Sequence, residues 1–331
     1  VYNTPVIKFG IKMDIKEIFD LAIETGIDND PRGRERINKI LKKRKEEYDD
    51  LPERKKKDYD KDKLANPYSD SGIHFGDPKT EVKRVMVGID IGTGEVMLAK
   101  ELERQGKKID LIIAHHPEGK ALTNLHEVMD IQTDVLERSG IPASIAEKVL
   151  EGRLKQVSQS IAPINHYQAV DVARLMDIPM INIHTPADNS VWKFVDEYLE
   201  KKKPETVGEI LQVLKEIPEY AKGTERNAGP VIFAGNENSR AGKIVVSGMT
   251  GGTSGSEKIY EKMSQYGIGT EIAMHVRKEE LEEAAKHYLN IVVAGHIASD
   301  SLGLNLVMDN LEKKGIEIIP CSGFIRYSRV K

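Results

Sequence analysis

From Asn66 onward, apolar runs of strand length alternate with segments of helical period, and that alternation restricts the chain to an α/β fold. Arg84–Ile91 (RVMVGIDI), Ile109–Ala114 (IDLIIA) and Ile178–Ile183 (IPMINI) read as strands, as do Lys243–Ser247 (KIVVS), Asn290–Ala294 (NIVVA) and Gly315–Pro320 (GIEIIP). Between them, helical spacing runs through Val96, Leu98, Ala99 and Leu102, from about Asn124 to Arg138, and over Ser301–Lys314. The stretch from about Arg138 to Gln168 is less periodic. Beyond Trp192 helix signals dominate to Tyr220, and a polar, glycine-containing stretch follows to Gly242.

The first sixty-five residues differ in character. Asp14 reads as an N-cap, with Ile15, Ile18, Phe19, Ala22 and Ile23 forming an apolar stripe that ends near Gly26. A second helix from about Pro31 carries Ile37, Ile40 and Leu41 and runs into KKRKEEYDDLPERKKKDYDKDK. Both signs of charge are densely mixed there, which predicts a solvated helical face or linker rather than a nucleic-acid contact. The expected organisation is a helical, charged N-terminal extension over 1–65, a first α/β lobe over 66–195 and a second over 196–331. The C-terminal segment is free to pack back on the first lobe.

A net charge of −4 argues against a dedicated nucleic-acid binder. Cys321 is the single cysteine, so no internal disulfide forms and a reducing compartment fits. No apolar stretch approaches bilayer-spanning length, and VYNTPVIKFGIKMDIKEIF lacks the basic flank and apolar core of a secretory signal. Cytoplasm is the expected location.

Three of the apolar runs end in histidine. IDLIIA leads into His115-His116-Pro117, IPMINI into His184-Thr185-Pro186-Ala187-Asp188, and NIVVAG into His296-Ile297-Ala298-Ser299-Asp300. Loops beyond the carboxyl ends of strands in open α/β sheets converge on a crevice, and imidazole with carboxylate suits zinc, manganese, iron, cobalt or nickel. A lone histidine after a strand is commonly a packing residue. An adjacent pair gains little structurally, and Pro117 fixes the backbone direction after it. His296 and Asp300 are four apart at a helix start and share a face, although Asp300 would also be a favourable charge at a helix N-terminus.

The chain resembles the Nif-three-like family, whose bacterial members are often called GTP cyclohydrolase I type 2 homologues. NPYSDSGIHFGDPKTEVKRVMVGID (66–90) is similar to the family's opening segment, LIIAHHP to its His-His-Pro motif, INIHTPAD to its His-Thr-x-x-Asp motif and VVAGHIASD to its Gly-His motif. These landmarks bracket residues 66–300. The resemblance implies two α/β lobes with a dinuclear metal centre in the cleft between them. His115 and His116 would each bind a different ion, Asp188 would bind one or bridge, and His296 with Asp300 would complete the site. His184 would stand beside the centre as support, occasional ligand or proton carrier. A toroidal homohexamer with its metal sites facing an internal cavity is also implied.

The family's last ligand is usually glutamate. Asp300 is one methylene shorter, which predicts weaker binding, binding through water, or binding of one ion only. Glu118-Gly119-Lys120 replaces the apolar residues usual after His-His-Pro, and the N-terminal sixty residues fall outside the family pattern.

GMTGGTSGSEK joins a strand to a helix, and the amides of Gly251, Gly252, Thr253 and Ser254 are candidates for holding an anion such as a substrate phosphate. The alternative is a flexible turn. Asp90, Glu271 and His275 are candidate neighbours of the metal centre. His74, His126, His166 and His287 lack companions and read as surface or packing residues, and Cys321 has no paired base. Two functions follow: a metal-dependent hydrolase of a nucleotide, phosphoester or cyclic amide, or a metal-binding regulatory or interaction scaffold without catalysis.

Overall fold

The computed structural model describes residues 12–330. The first eleven positions of the segment read as an extension, and with them most of the stretch read for a secretory signal, lie outside the described residues. Eleven strands occur there: β1 Met13–Asp14, β2 Gly72–Phe75, β3 Glu81–Val82, β4 Arg84–Gly88, β5 Leu111–Ala114, β6 Met180–Asn182, β7 Val231–Ala234, β8 Lys243–Gly248, β9 Ile268–Ala273, β10 Asn290–Val293 and β11 Glu317–Cys321. They form a five-stranded sheet of order β11-β4-β5-β6-β2, a four-stranded sheet of order β7-β10-β9-β8 and the short pair β1-β3. Strands β11, β4, β5 and β6 run parallel, with β2 antiparallel at the edge. Strands β10, β9 and β8 run parallel, with β7 antiparallel at the edge. The fold is mixed α/β.

All six strands expected from the apolar runs are present, because parallel strands buried on both faces read as continuous apolar segments. Their side chains alternate between two packing layers. Val85, Val87, Leu111 and Ile113 face the main core, whereas Met86, Ile112, Ala114 and Met180 face a second apolar cluster on the other side. The runs did not reveal β2, β7 and β9. Two of these are edge strands of partial burial, and β9 carries Gly269, Thr270 and Glu271 in its middle. The helix Ala143–Ile161 was also hidden, since only Ala146, Leu150, Val157 and Ile161 are buried among its charged and polar residues.

The main core is built around two helices, Thr185–Lys202 and His296–Glu312, which pack on each other. One apolar cluster joins them to Val85, Val87 and Ile113 of the larger sheet and to Val246, Ile272 and Val292 of the smaller. Each helix begins just after a strand that runs parallel to its neighbours, so both N-termini are brought to the strands' carboxyl ends. Strand β11 returns to pair with β4, so the chain after residue 196 contributes to both sheets.

The first helix, Ile15–Asp28, belongs to this core and is no appendage. Asp14 and Glu17 form a capping box at its start, and Ile15, Ile18, Phe19, Ala22, Ile23 and Ile27 are buried. It lies on the helix Thr185–Lys202, where a Cβ at Gly26 would come within 2.7 Å of the Pro186 Cα. The next helix, Arg34–Asp49, buries only Ile37 and is the solvated charged element that its composition predicted. Among the described residues no helix is long and apolar enough to cross a membrane.

Candidate metal centre

The three histidine-bearing strand ends meet. His115 follows β5, His184 is the N-cap of the helix after β6, and His296 opens the helix after β10. Asp188 and Asp300 lie one turn into those two helices, on the faces turned to the histidines. Imidazole ring centroids are 5.3 Å apart for His115 and His116, 4.9 Å for His115 and His184, and 5.3 Å for His116 and His296.

Asp300 stands at the centre. It is fully buried, with Oδ1 3.5 Å from His115 Nε2 and Oδ2 3.6 Å from both His116 Nε2 and His296 Nε2. Asp188 places Oδ1 3.4 Å from His115 Nε2 and Oδ2 3.8 Å from His184 Nε2. Two potential ligand sets therefore share one residue: His116, His296 and Asp300, and His115, Asp188 and Asp300. A third set joins His115, His116 and His184.

The shorter aspartate thus lies within both main candidate sets. The reason is a close helix contact. A Cβ at Gly303 would lie 2.3 Å from the Ala187 carbonyl oxygen, so glycine there lets the helix carrying Asp300 approach the one carrying Asp188.

The donor set fits a cation. His115 Nε2, Asp188 Oδ1 and both Asp300 carboxylate oxygens are buried without a hydrogen-bond partner. Buried polar atoms are normally satisfied, so four orphans aimed at one another mark a place for a positive ligand. Burial alone would raise the Asp300 carboxyl, but His115, His116 and His296 around it hold it below the ordinary carboxylate range. Burial likewise opposes protonation of His115 and His116, yet Asp300 and its neighbours push them up to about 10 and about 9. A cation bound among these groups would displace those protons.

The supporting shell is defined. His115 Nδ1 donates to the Ile183 carbonyl at 3.1 Å. Asp90 lies 2.6 Å from His116 Nδ1, and that bond keeps its carboxyl below the ordinary range although the side chain is 70% exposed. Asp70 was not singled out in the sequence. It is fully buried, 2.7 Å from His184 Nδ1, and accepts from the Thr185 hydroxyl at 2.6 Å. Its signal lay within YSDSGIHF of the resemblance segment, but nothing local distinguishes it from a turn aspartate. Such outer carboxylates fix the ring and leave Nε2 for the metal.

The other predicted neighbours divide. His275 stacks edge-on against His296 with centroids 4.7 Å apart, and its Nδ1 is 3.0 Å from Ser254 Oγ. Burial and the adjacent His296 lower it to about 4, so it is neutral. Glu271 is buried in β9, outside the three ligand sets. The loop of Gly251, Gly252, Thr253 and Ser254 lies beside the centre, but its Gly251 and Thr253 carbonyls are engaged by the Gln132 side-chain amide at 2.8 and 2.6 Å. His74 is bonded to the distant Asn182, whereas His166 and His287 make local bonds to the Ile161 carbonyl and Glu283.

No family model matches the chain, and no curated protein matches it either. Solved structures do. A NIF3 superfamily protein from Sphaerobacter thermophilus is 28% identical, with a TM-score of 0.72, and the match covers 94% of this chain and 98% of that one. The 6% left out is far shorter than residues 1–65, so most of that N-terminal segment is common to both proteins. Reduced HcgD from Methanocaldococcus jannaschii shares the fold at 17% identity and a TM-score of 0.50, over 78% of this chain and 92% of its own. The four motifs, the buried histidine and aspartate cluster and a superposition over nearly the whole length agree, and the chain belongs to the NIF3 superfamily.

Proposed function

We propose that the cluster holds two divalent ions sharing Asp300, and that the protein is a metal-dependent hydrolase of a nucleotide, phosphoester or cyclic amide. The observation that carries this reading is Asp300 itself: a buried carboxylate with two unpartnered oxygens, each directed at a different group of imidazoles. Divalent ions supply Lewis acidity and a water of lowered pKa when bound.

The chain's own residues have distinct tasks. His115, His116, Asp188, His296 and Asp300 would hold the ions. His184, gripped on Nδ1 by Asp70, keeps Nε2 on the cluster side and is placed to take or return a proton there. Asp90 orients His116 from the exposed side. The same proposal includes a homohexameric assembly, which light scattering on the purified protein tests.

The deciding experiment combines elemental analysis with turnover. Protein soaked in manganese or zinc is expected to retain two ions per chain and to hydrolyse a member of a panel of nucleotides, phosphoesters and cyclic amides. His115→Ala is expected to lose metal and activity together. Full metal occupancy with no turnover on any panel member would sink the hydrolase reading and leave a regulatory or scaffolding metal site.

A further inference from the structure

Beside the candidate metal centre, the glycine-rich loop 250–256 lines a cavity of about 50 Å³, with room for roughly three to five waters. Asp188 stands on its wall, so the cavity opens against the cluster. Leu136, Leu150 and Met263 supply apolar lining, while Ser247, Tyr260 and Glu271 supply polar lining.

Glu271 is the group without an account. Its side chain is 5% exposed, the Ser247 hydroxyl donates to Oε1, and Oε2 has no hydrogen-bond partner. The Tyr260 hydroxyl lies against the same carboxylate and works to lower its pKa, yet Oε2 itself has no partner in hydrogen-bond geometry. Burial pushes the Glu271 carboxyl up to about 7, so the group is costly to keep there unless something donates to it.

The surroundings decide the kind of donor. No lysine or arginine lines the cavity among the described residues. Glu280, also on its wall, is paired with Arg277 at 3.2 Å, and Arg277 further donates to the Gly255 carbonyl. Asp188 belongs to the histidine cluster. Glu271 is therefore the acid on this wall without a cationic side chain beside it, and a phosphate placed against it would meet a carboxylate with no lysine or arginine to offset it. A planar group with paired N–H donors matches both the small volume and the carboxylate acceptor.

We propose that this cavity recognises a compact N–H donor group, a guanidinium, amidinium or cyclic amidine edge, on the molecule presented to the metal centre, with Glu271 as the specificity-determining residue. The inference rests on the hydrolase reading for what the rest of that molecule undergoes, and on the cavity alone for the recognition.

Methylguanidinium is the probe. Titrated calorimetrically into metal-loaded protein at about pH 8, where the carboxylate is ionised, it is expected to bind, and inorganic phosphate is expected not to compete. Glu271→Gln keeps the shape and removes the charge; it is expected to bind at least about tenfold more weakly, with metal content per chain unchanged. Leu150→Phe, which fills the space from an apolar wall without touching the carboxylate, is expected to lose binding as well. Metal-free wild type is expected to keep binding the probe. Absence of metal uptake alone would overturn the hydrolase reading and leave the recognition standing. No probe binding with metal loaded, undiminished binding by Glu271→Gln, competition by phosphate, or binding only when metal is present would each overturn the recognition.

Discussion

Asp300 Oδ1 lies 3.5 Å from His115 Nε2, and neither atom has a hydrogen-bond partner. Both are buried, and their mutual approach without a proper bond is the arrangement expected of two groups that could hold a cation between them. It also makes Asp300 the joint of the two ligand sets, with consequences for each substitution around it.

Asp300→Asn is expected to empty both ion positions, because the residue belongs to both sets, whereas His296→Ala should leave one ion held by His115, Asp188 and Asp300. Metal content per chain after dialysis distinguishes them. Equal loss in the two variants would contradict the shared role of Asp300.

Gly303→Ala should act on the same site from a distance. The added methyl would sit 2.3 Å from the Ala187 carbonyl and force the helices apart, a change of the overpacking type that costs about 1–3 kcal/mol. A lower melting temperature together with weaker metal uptake is expected. Unchanged uptake would show that Asp300 does not depend on the close helix contact.

Asp70→Asn tests the grip on His184. The carboxylate bond to Nδ1 at 2.7 Å would be replaced by a neutral amide, and losses of about 10–100-fold in metal affinity or activity are usual for such outer partners. Competition titration with a chromophoric chelator measures the affinity, and circular dichroism checks that the fold is kept. Wild-type affinity and activity in the variant would remove Asp70 from the working site.

The pH dependence of stability should differ between metal-free and metal-loaded protein. In the absence of metal, burial works against protonation of His115 and His116, but Asp300 and the other carboxylates raise them to about 10 and about 9 from 6.5. Folded values above the unfolded value mean a stabilisation fully present below about pH 6.5 and lost as the pH rises through 9 to 10. The metal-free melting temperature is thus expected to fall between about pH 7 and about 10, while the metal-saturated one holds, since ligating imidazoles are already deprotonated. Scanning fluorimetry across that range reads the divergence, and a metal-free melting temperature that rises would refute it.

Much of this site was legible in the chain because its parts are local. His115-His116 after IDLIIA, His184 with Asp188 after IPMINI, and His296 with Asp300 after NIVVAG each join a buried parallel strand to a turn or helix start, and each carries its own apolar signal. The apolar stripe of Ile15–Asp28 was readable for the same reason, although not its destination in the core. Strand β9 was not readable, since Thr270 and Glu271 break its apolar run while satisfying needs set by the Ala241 carbonyl and the Ser247 hydroxyl.

The sequence by itself determined the α/β class, the six apolar strands and the identity of the histidine and aspartate cluster, because strand burial and strand-end placement follow from neighbouring residues. Only the tertiary structure decided that Asp300 falls within both candidate ligand sets, that Asp70 holds His184 and that Glu271 keeps one oxygen without a partner. The first two depend on packing between residues more than a hundred positions apart, and the last on which oxygen of a buried carboxylate its neighbours leave without a donor.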